Sequence, residues 1–301
     1  MLLRRFFCIG EQIFLIGKKG LSHKMWILQI SDLHIDNFAQ GDINPDEIRK
    51  LACAEACNIV PNNEPLALVF CGDAIYKGHS HNYPSVRLFL KDMTGAFSKK
   101  VELCLCPGNH DICDNETHPF EGFNRLSWDL IKDERYLFAF DKTVVTRTIL
   151  DTDFVLVNSS YHRDYTYGLV NMNHLEYALD KSKSPTKVIV VHHSLIPIDP
   201  SDKSTVANAC DVLRLAVSHD VTAILHGHCH RQILITVGKN PCSLVGVGSF
   251  LFPPGSNLNN QFNLLRFDSN KITEALGLRF IADLWKSGRS KTFESTKLYV
   301  I

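Results

Sequence analysis

Residues 101–111 read Val-Glu-Leu-Cys-Leu-Cys-Pro-Gly-Asn-His-Asp. A strand-like apolar run over Val101–Cys106 stops at Pro-Gly and gives way to an amide, an imidazole and a carboxylate. The pattern recurs. Trp26–Ser31 runs into Asp32-Leu33-His34, Leu66–Cys71 into Gly72-Asp73, Lys187–Val191 into His192-His193, and Val221–Leu225 into His226-Gly227-His228-Cys229-His230. A further apolar run, Phe154–Asn158, lies between them. Helix-like segments separate the early runs: Pro45–Val60, with Pro45 near its first turn, and the amphipathic Pro84–Phe97. Strands alternating with helices predict an open α/β sheet, at least partly parallel, whose strand C-termini share one edge. Ligands bind beyond such an edge, so residues distant in sequence are expected to converge there. From Gln232 onward short strands follow between Gly and Pro turns: Gln232–Val237, Ser243–Val247, Phe262–Phe267 and Leu278–Ile281.

Composition sets the frame. The 301 residues are 45% hydrophobic and 21% charged, which is ordinary for a globular chain. Lys and Arg balance Asp and Glu at 32 each, so no bulk basic field draws the chain to nucleic acid or anionic lipid. Ser98-Lys99-Lys100 is too short for a nucleic-acid patch and fits a helix C-terminus. The ten cysteines form no C-x-x-C pair. Cys53 and Cys57 sit at helical spacing and Cys104 and Cys106 at strand spacing, so they read as small buried side chains. Free thiols in such number predict a reducing, cytoplasmic setting. Residues 1–24 begin with an apolar stretch interrupted by Glu11 and Gln12, without a small-residue cleavage site, so a signal peptide is not expected. No run approaches the length of a membrane span. Residues 1–24 are read as an extension, either disordered or upstream of a true start at Met25, and 25–301 as a single domain.

The strand ends supply carboxylates, an amide oxygen and imidazoles, without a nucleophilic thiol or a G-x-S-x-G serine. A mixed N/O set suits Mn²⁺, Fe²⁺, Zn²⁺, Co²⁺ or Ni²⁺. In Asp32-Leu33-His34 and His228-Cys229-His230 the intervening residue places both outer side chains on one face if the backbone is extended. Gly72 and Gly108 allow a sharp turn just before a ligand. The ligand types suffice for two metals, since one zinc needs only three or four.

In this order (D-x-H, G-D, G-N-H-D, H, G-H-x-H) the motifs resemble the calcineurin-like metallophosphoesterase superfamily, over residues 32–230. The segment Gly-Asp-Ala-Ile-Tyr-Lys-Gly is similar to that of compact bacterial phosphodiesterase-like members. The resemblance implies a four-layer αββα sandwich of two mixed sheets flanked by helices, the tail from Gln232 completing the second sheet. It implies that Asp32, His34 and His230 hold one divalent ion, that Asn109, His192 and His228 hold another, and that Asp73 bridges them. His193 is the alternative to His192, which is favoured because it directly follows the strand. A pair of metals about 3.5–4 Å apart polarises a bridging water for in-line attack on phosphorus. His110 would approach the leaving-group oxygen, and Asp111 would hold His110 in orientation.

These readings predict a dinuclear phosphodiesterase acting on a nucleotide or cyclic nucleotide. A DNA or RNA nuclease working with a partner, a phosphomonoesterase, and a non-catalytic metal-binding scaffold are the alternatives. His226 is expected to be structural. His79, His81 and Tyr83 are read as a solvated loop, with substrate contact as the alternative. His118, in the 112–124 loop, and Tyr161, His162 and Arg163, after the fourth strand, are candidates for lining the substrate pocket.

Overall fold

The computed structural model describes residues 24–35, 44–114, 118–238, 241–252, 259–268, 270–283 and 290–298. The expectations for residues 1–23 and for the middle of the 112–124 loop lie outside these residues.

The first sheet begins with three parallel strands, β1 (Met25–Ile30), β2 (Leu66–Phe70) and β3 (Val101–Leu105). The helices α1 (Pro45–Ile59) and α2 (Tyr83–Gly95) lie between them in sequence and α3 (Glu121–Ile131) follows β3; α2 packs on α1 and α3, and α3 on β3. Asn44 starts α1 by accepting the Asp46 N–H, with Pro45 in the first turn, where a missing N–H costs nothing. Three antiparallel strands extend the sheet beyond β1. They are β10 (Gln261–Asp268), β11 (Lys271–Asp283) and β12 (Ser290–Lys297), giving the order β12-β11-β10-β1-β2-β3.

The second sheet runs β4-β5-β6-β7-β9-β8. Its strands are β4 (Val144–Ile149), β5 (Thr152–Val157), β6 (Thr186–Val191), β7 (Ala223–His226), β8 (Ile233–Val237) and β9 (Cys242–Gly246). Strands β5, β6, β7 and β9 are parallel, and β4 and β8 close the edges antiparallel. Helices α4 (Met172–Lys181) and α5 (Ala209–Ser218) cover its outer face. The period of two is visible in the packing. Phe154, Leu156, Val188, Val190 and Leu225 join the core shared with the first sheet, while Val155, Val157, Ile189, Val191 and Ile224 pack with Leu175, Leu179 and Val212 of the helices. The result is the expected pair of mixed sheets flanked by helices. The tail divides differently from expectation: β8 and β9 complete the second sheet, but β10, β11 and β12 extend the first.

Between the sheets sits a polar interlock. Gln29 of β1 and Asn263 of β10 are cross-strand partners, both fully buried. The Gln29 amide donates to the carbonyls of His226 (3.2 Å) and Val245 (3.0 Å) in the second sheet, and Gln29 Oε1 accepts from Asn263 Nδ2 at 3.0 Å. Asn263 Nδ2 also donates to the Gly246 carbonyl at 3.1 Å. All described cysteines are unbridged. Among the described residues no helix is long and apolar enough to cross a membrane.

Replacing Gln29 with Leu keeps the volume but removes its hydrogen bonds to the His226 and Val245 carbonyls and to the Asn263 amide. The Gln29→Leu protein is expected to lose about 2–3 kcal/mol of stability. Urea unfolding measures this, and an unchanged midpoint would show that the interlock contributes nothing.

Candidate metal centre

The C-terminal ends of β1, β2 and β3 meet those of β6 and β7 along one edge of the sandwich. Three groups of side chains there bring metal-capable atoms within 4.8 Å of one another: Asp32, His34 and His230; His34, Asp73 and His110; and Asp73, His192 and His228. Asp73 joins the two ends of this cluster. Its Oδ2 lies 3.4 Å from His34 Nε2 and 3.3 Å from His192 Nε2. Asp32 Oδ1 lies 3.5 Å from His34 Nε2 and 3.1 Å from His230 Nε2. His192 Nε2 is 3.0 Å from Asn109 Oδ1 and 3.1 Å from His228 Nδ1.

The backbone reaches this arrangement by an unexpected route. Asp32, His34, Asp73, His228 and His230 all have φ between 43° and 65°, the left-handed region. Extended alternation across Leu33 and Cys229 therefore does not account for the convergence of the outer residues. Each left-handed non-glycine residue costs about 1–2 kcal/mol. Backbone bonds hold the turns: the N–H groups of Asp32 and His34 donate to the carbonyls of Gly72 and Asp73, at 3.0 and 3.1 Å. Gly72 does turn, at φ 98°, and a Cβ there would lie 2.6 Å from the His192 ring. Gly108 is instead extended, at φ −112°. It is needed for close approach, since a Cβ would overlap the Asp73 carboxylate.

The hydrogen bonding around His192 tests whether a cation fits. Its Nδ1 is 2.8 Å from the Cys71 carbonyl, which can only accept, so Nδ1 carries a proton. Asn109 Nδ2 donates to the Tyr165 carbonyl at 3.3 Å, which turns Oδ1 toward His192. In the neutral ring the Nε2 lone pair thus faces the Asn109 oxygen, the Asp73 carboxylate and His228 Nδ1. Such convergence of acceptors suits a cation among them.

The electrostatics agree. Burial opposes ionisation of Asp32, but His230 holds its carboxyl well below the usual range. Burial likewise opposes Asp73, and His192 holds it far down. Burial would depress His192, yet the Asp73 charge and hydrogen bond outweigh it and push the imidazole up to about 9. Burial drops His228 to about 4, with His192 adding to the effect. Among the described residues, imidazoles are the groups within ion-pair distance of Asp32 and Asp73. Two buried carboxylates compensated this way favour divalent ions in their midst, and the residues fit the group.

Asp111 does not orient His110. Its carboxylate accepts from the N–H groups of Asp73 (3.0 Å), Ala74 (3.1 Å), Ile75 (3.4 Å) and Gly108 (2.9 Å), and from the Tyr83 hydroxyl (3.2 Å). Burial and the Asp73 charge push it up to about 7, while the N–H groups favour its ionised form. Asp111 clamps the β2 and β3 loops together, and Tyr83 is buried beneath them rather than solvated. The ring contact expected of Asp111 falls to the Lys77 N–H, which donates to His110 Nδ1 at 3.1 Å.

His193 is buried behind His192, with Nδ1 2.8 Å from the Ser159 hydroxyl, and is not in the ligand groups. His226 is buried under Gly246, its pKa lowered to about 4 by burial. His79 and His81 are exposed with rings 5.7 Å apart. His118 and Arg163 both pack on the exposed Phe140 ring, at 4.8 and 5.2 Å, and His162 packs on Tyr167. Lys99 donates to the carbonyls of Pro61 and Glu64 rather than to the end of α2. Two contributors carried no sequence signal. Phe252 places its ring 4.6 Å from His34 and 5.3 Å from His230. Tyr165 acts through its carbonyl, which any residue type would supply.

A dimetal phosphatase from Danio rerio is similar to this chain at TM-score 0.57 and 16% identity, covering 91% of this chain and 99% of its own. The purple acid phosphatase of yellow lupin gives TM-score 0.57 at 13% identity, and a putative 5'-nucleotidase from Staphylococcus aureus 0.52 at 14%. Each covers 92% of this chain and 54% of its own, so the chain spans about half the length of those two proteins. Identities this low show a common fold. No curated protein sequence matches this one significantly. The profile of the calcineurin-like phosphoesterases matches residues 25–232, well over half of the sequence. With both sheets and the ligand-rich edge in place, the chain belongs to the calcineurin-like phosphoesterase family, metal-dependent phosphoester hydrolases that typically bind two divalent ions.

Proposed function

We propose that this chain is a dinuclear phosphodiesterase acting on a nucleotide or cyclic-nucleotide phosphoester. The observation that carries the reading is the pair of ligand groups meeting at Asp73, whose Oδ2 faces His34 on one side and His192 on the other. Asp32, His34 and His230 would hold one divalent ion and Asn109, His192 and His228 the other, with Asp73 placed between the two groups. When bound, such a pair generates a nucleophile from water near neutral pH and offsets phosphoryl charge.

The chain's own residues do the rest. The Cys71 carbonyl fixes the His192 tautomer so that Nε2 presents a lone pair. The Tyr165 carbonyl fixes the Asn109 amide so that its oxygen faces inward. The Asp111 clamp sets the spacing of Asp73 from His110, whose N–H donates to Asp73 Oδ1 at 2.8 Å. The His110 ring faces the leaving-group oxygen and stabilises its developing charge. Phe252 walls the cluster at His34 and His230 and keeps water from that side. Diester over monoester rests on the resemblance of the Gly72–Gly78 segment to compact phosphodiesterase-like members.

Three outcomes test this. Purified protein with Mn²⁺ is expected to cleave bis-p-nitrophenyl phosphate at a higher kcat/KM than p-nitrophenyl phosphate. A reversed preference would make it a phosphomonoesterase, as the names of the similar phosphatases suggest, and cleavage confined to single-stranded DNA or RNA would make it a nuclease. His110→Ala is expected to keep its metal content and lose roughly 10²–10⁴-fold in kcat, whereas Asp73→Asn is expected to lose both metal and turnover. Because His110 also lies within ligand range of His34 and Asp73, elemental analysis of both variants is the check; metal lost from the first and kept in the second would reverse the assignment. Finally, Mn²⁺ is expected to raise the melting temperature, since ligands that bind only the folded state stabilise it. No shift with Mn²⁺, Fe²⁺, Zn²⁺, Co²⁺ or Ni²⁺ would count against the metal centre itself.

A further inference from the structure

We propose that Tyr76 is a positioning residue for His110, acting together with the backbone N–H of Lys77 to set which ring nitrogen meets the leaving group. The inference rests on the proposed role of His110 and adds a residue that the motif reading did not single out.

Three contacts tie His110 to the segment after β2. The Lys77 N–H donates to ring Nδ1 at 3.1 Å, the Gly78 N–H donates to the His110 carbonyl at 2.9 Å, and the Tyr76 ring lies nearly parallel to the imidazole, 25° from it with centroids 5.4 Å apart. The His34 ring meets the imidazole edge-on, at 89° and 4.6 Å. The Lys77 ammonium lies 5.0 Å from the Tyr76 centroid, so the tyrosine ring is itself held by a cation–π contact. Tyr76 is half-buried.

The chemistry follows from the ring's inventory. A neutral imidazole has one donor and one acceptor nitrogen. A backbone N–H at Nδ1 requires the lone pair there, which leaves the proton on Nε2. That N–H is the group that hydrogen-bonds the leaving oxygen as the P–O bond breaks and its electron pair moves onto oxygen. In the other tautomer, or with the ring turned over, the same place would present a lone pair to a developing anion. The backbone bond selects the tautomer. The parallel tyrosine resists rotation of the ring out of plane, because offset stacking is lost when the planes cross. A stack needs the ring and not the hydroxyl, so phenylalanine is expected to serve and alanine to fail.

The test compares Tyr76→Phe and Tyr76→Ala with the parent, using Mn²⁺-loaded protein and phosphodiesters of graded leaving-group acidity, with metal content measured on each. For Tyr76→Ala, metal content is expected to stay at the parental level and KM to change little. Its kcat is expected to fall by less than about twofold for a dinitrophenyl leaving group and about tenfold or more for phenyl or alkyl, the trend expected when aid to leaving-group departure is lost. Tyr76→Phe is expected to retain the parental profile. An equal loss for every leaving group, or no rescue by phenylalanine, would overturn the proposal. A second readout is independent of turnover: long-range ¹H–¹⁵N spectra of the metal-free protein report the His110 tautomer. The Nε2–H form is expected in the parent and in Tyr76→Phe, and a mixture in Tyr76→Ala. Identical spectra in all three would overturn the positioning role even if no substrate were cleaved, so its failure is distinct from failure of the phosphodiesterase reading.

Discussion

Two amides buried between apolar sheets fix the geometry of this molecule. Apolar packing is non-directional, and the inner faces built from Leu156, Val190 and Leu225 would tolerate small slips against the first sheet. Gln29 and Asn263 do not tolerate them. Their hydrogen bonds reach the carbonyls of His226, Val245 and Gly246 across the sheet interface, and a slip would leave several buried polar groups unpaired. Because Gln29 sits three residues before Asp32, and His226 two before His228, the interlock lies directly beneath the candidate ligands. Registering one sheet on the other there brings Asp32 and Asp73 from the first against His192 and His228 from the second.

Above the interlock the problem is charge. Two ionised carboxylates stand buried, 0% and 2% exposed, with imidazoles as their compensating groups. Removed from water, such a cluster has a strong preference for positive charge in its midst, and the Asp73 charge correspondingly raises the His192 pKa. The surrounding backbone groups are arranged around that need. The Cys71 and Tyr165 carbonyls turn acceptors inward, and the Asp111 clamp, fed by four N–H groups, keeps the β2 and β3 loops from drifting apart.

Much of this was legible in the sequence, for a physical reason. Strands β1, β2 and β5 are buried along their whole length and β3 and β6 in their C-terminal parts, so they carry near-continuous apolar runs, and each stops where polar loop chemistry begins. Helix α1 announced itself through Pro45. Edge strands were harder: β4 reads Val-Val-Thr-Arg-Thr-Ile and β12 Ser-Lys-Thr-Phe-Glu-Ser-Thr-Lys, with polar residues suited to an open edge. The split of the tail between the two sheets leaves no mark in the sequence, because strand pairing is decided across the fold, not along it. Gln29 gave no sign of its role and reads as a lone polar residue in an apolar strand. Adjacency to His110 in sequence suggests a partnership for Asp111, whereas the tight turn at 109–111 sends the carboxylate the other way. The left-handed residues were not legible, since Asp and His visit that region more often than most side chains but also populate every other one, and the sequence does not say which applies.

Those five left-handed residues also shape how this protein can change. At such positions glycine is the relaxed choice, with asparagine the next most tolerant. A mutation that abolishes the candidate centre by placing glycine at Asp32 would at the same time release backbone strain and remove a buried charge. Loss of the centre and gain in sturdiness would then come in one step, so a lineage freed from selection on the site would drift readily toward a more stable, inert fold, while a lineage that keeps it holds its ligands against a continuous thermodynamic gradient.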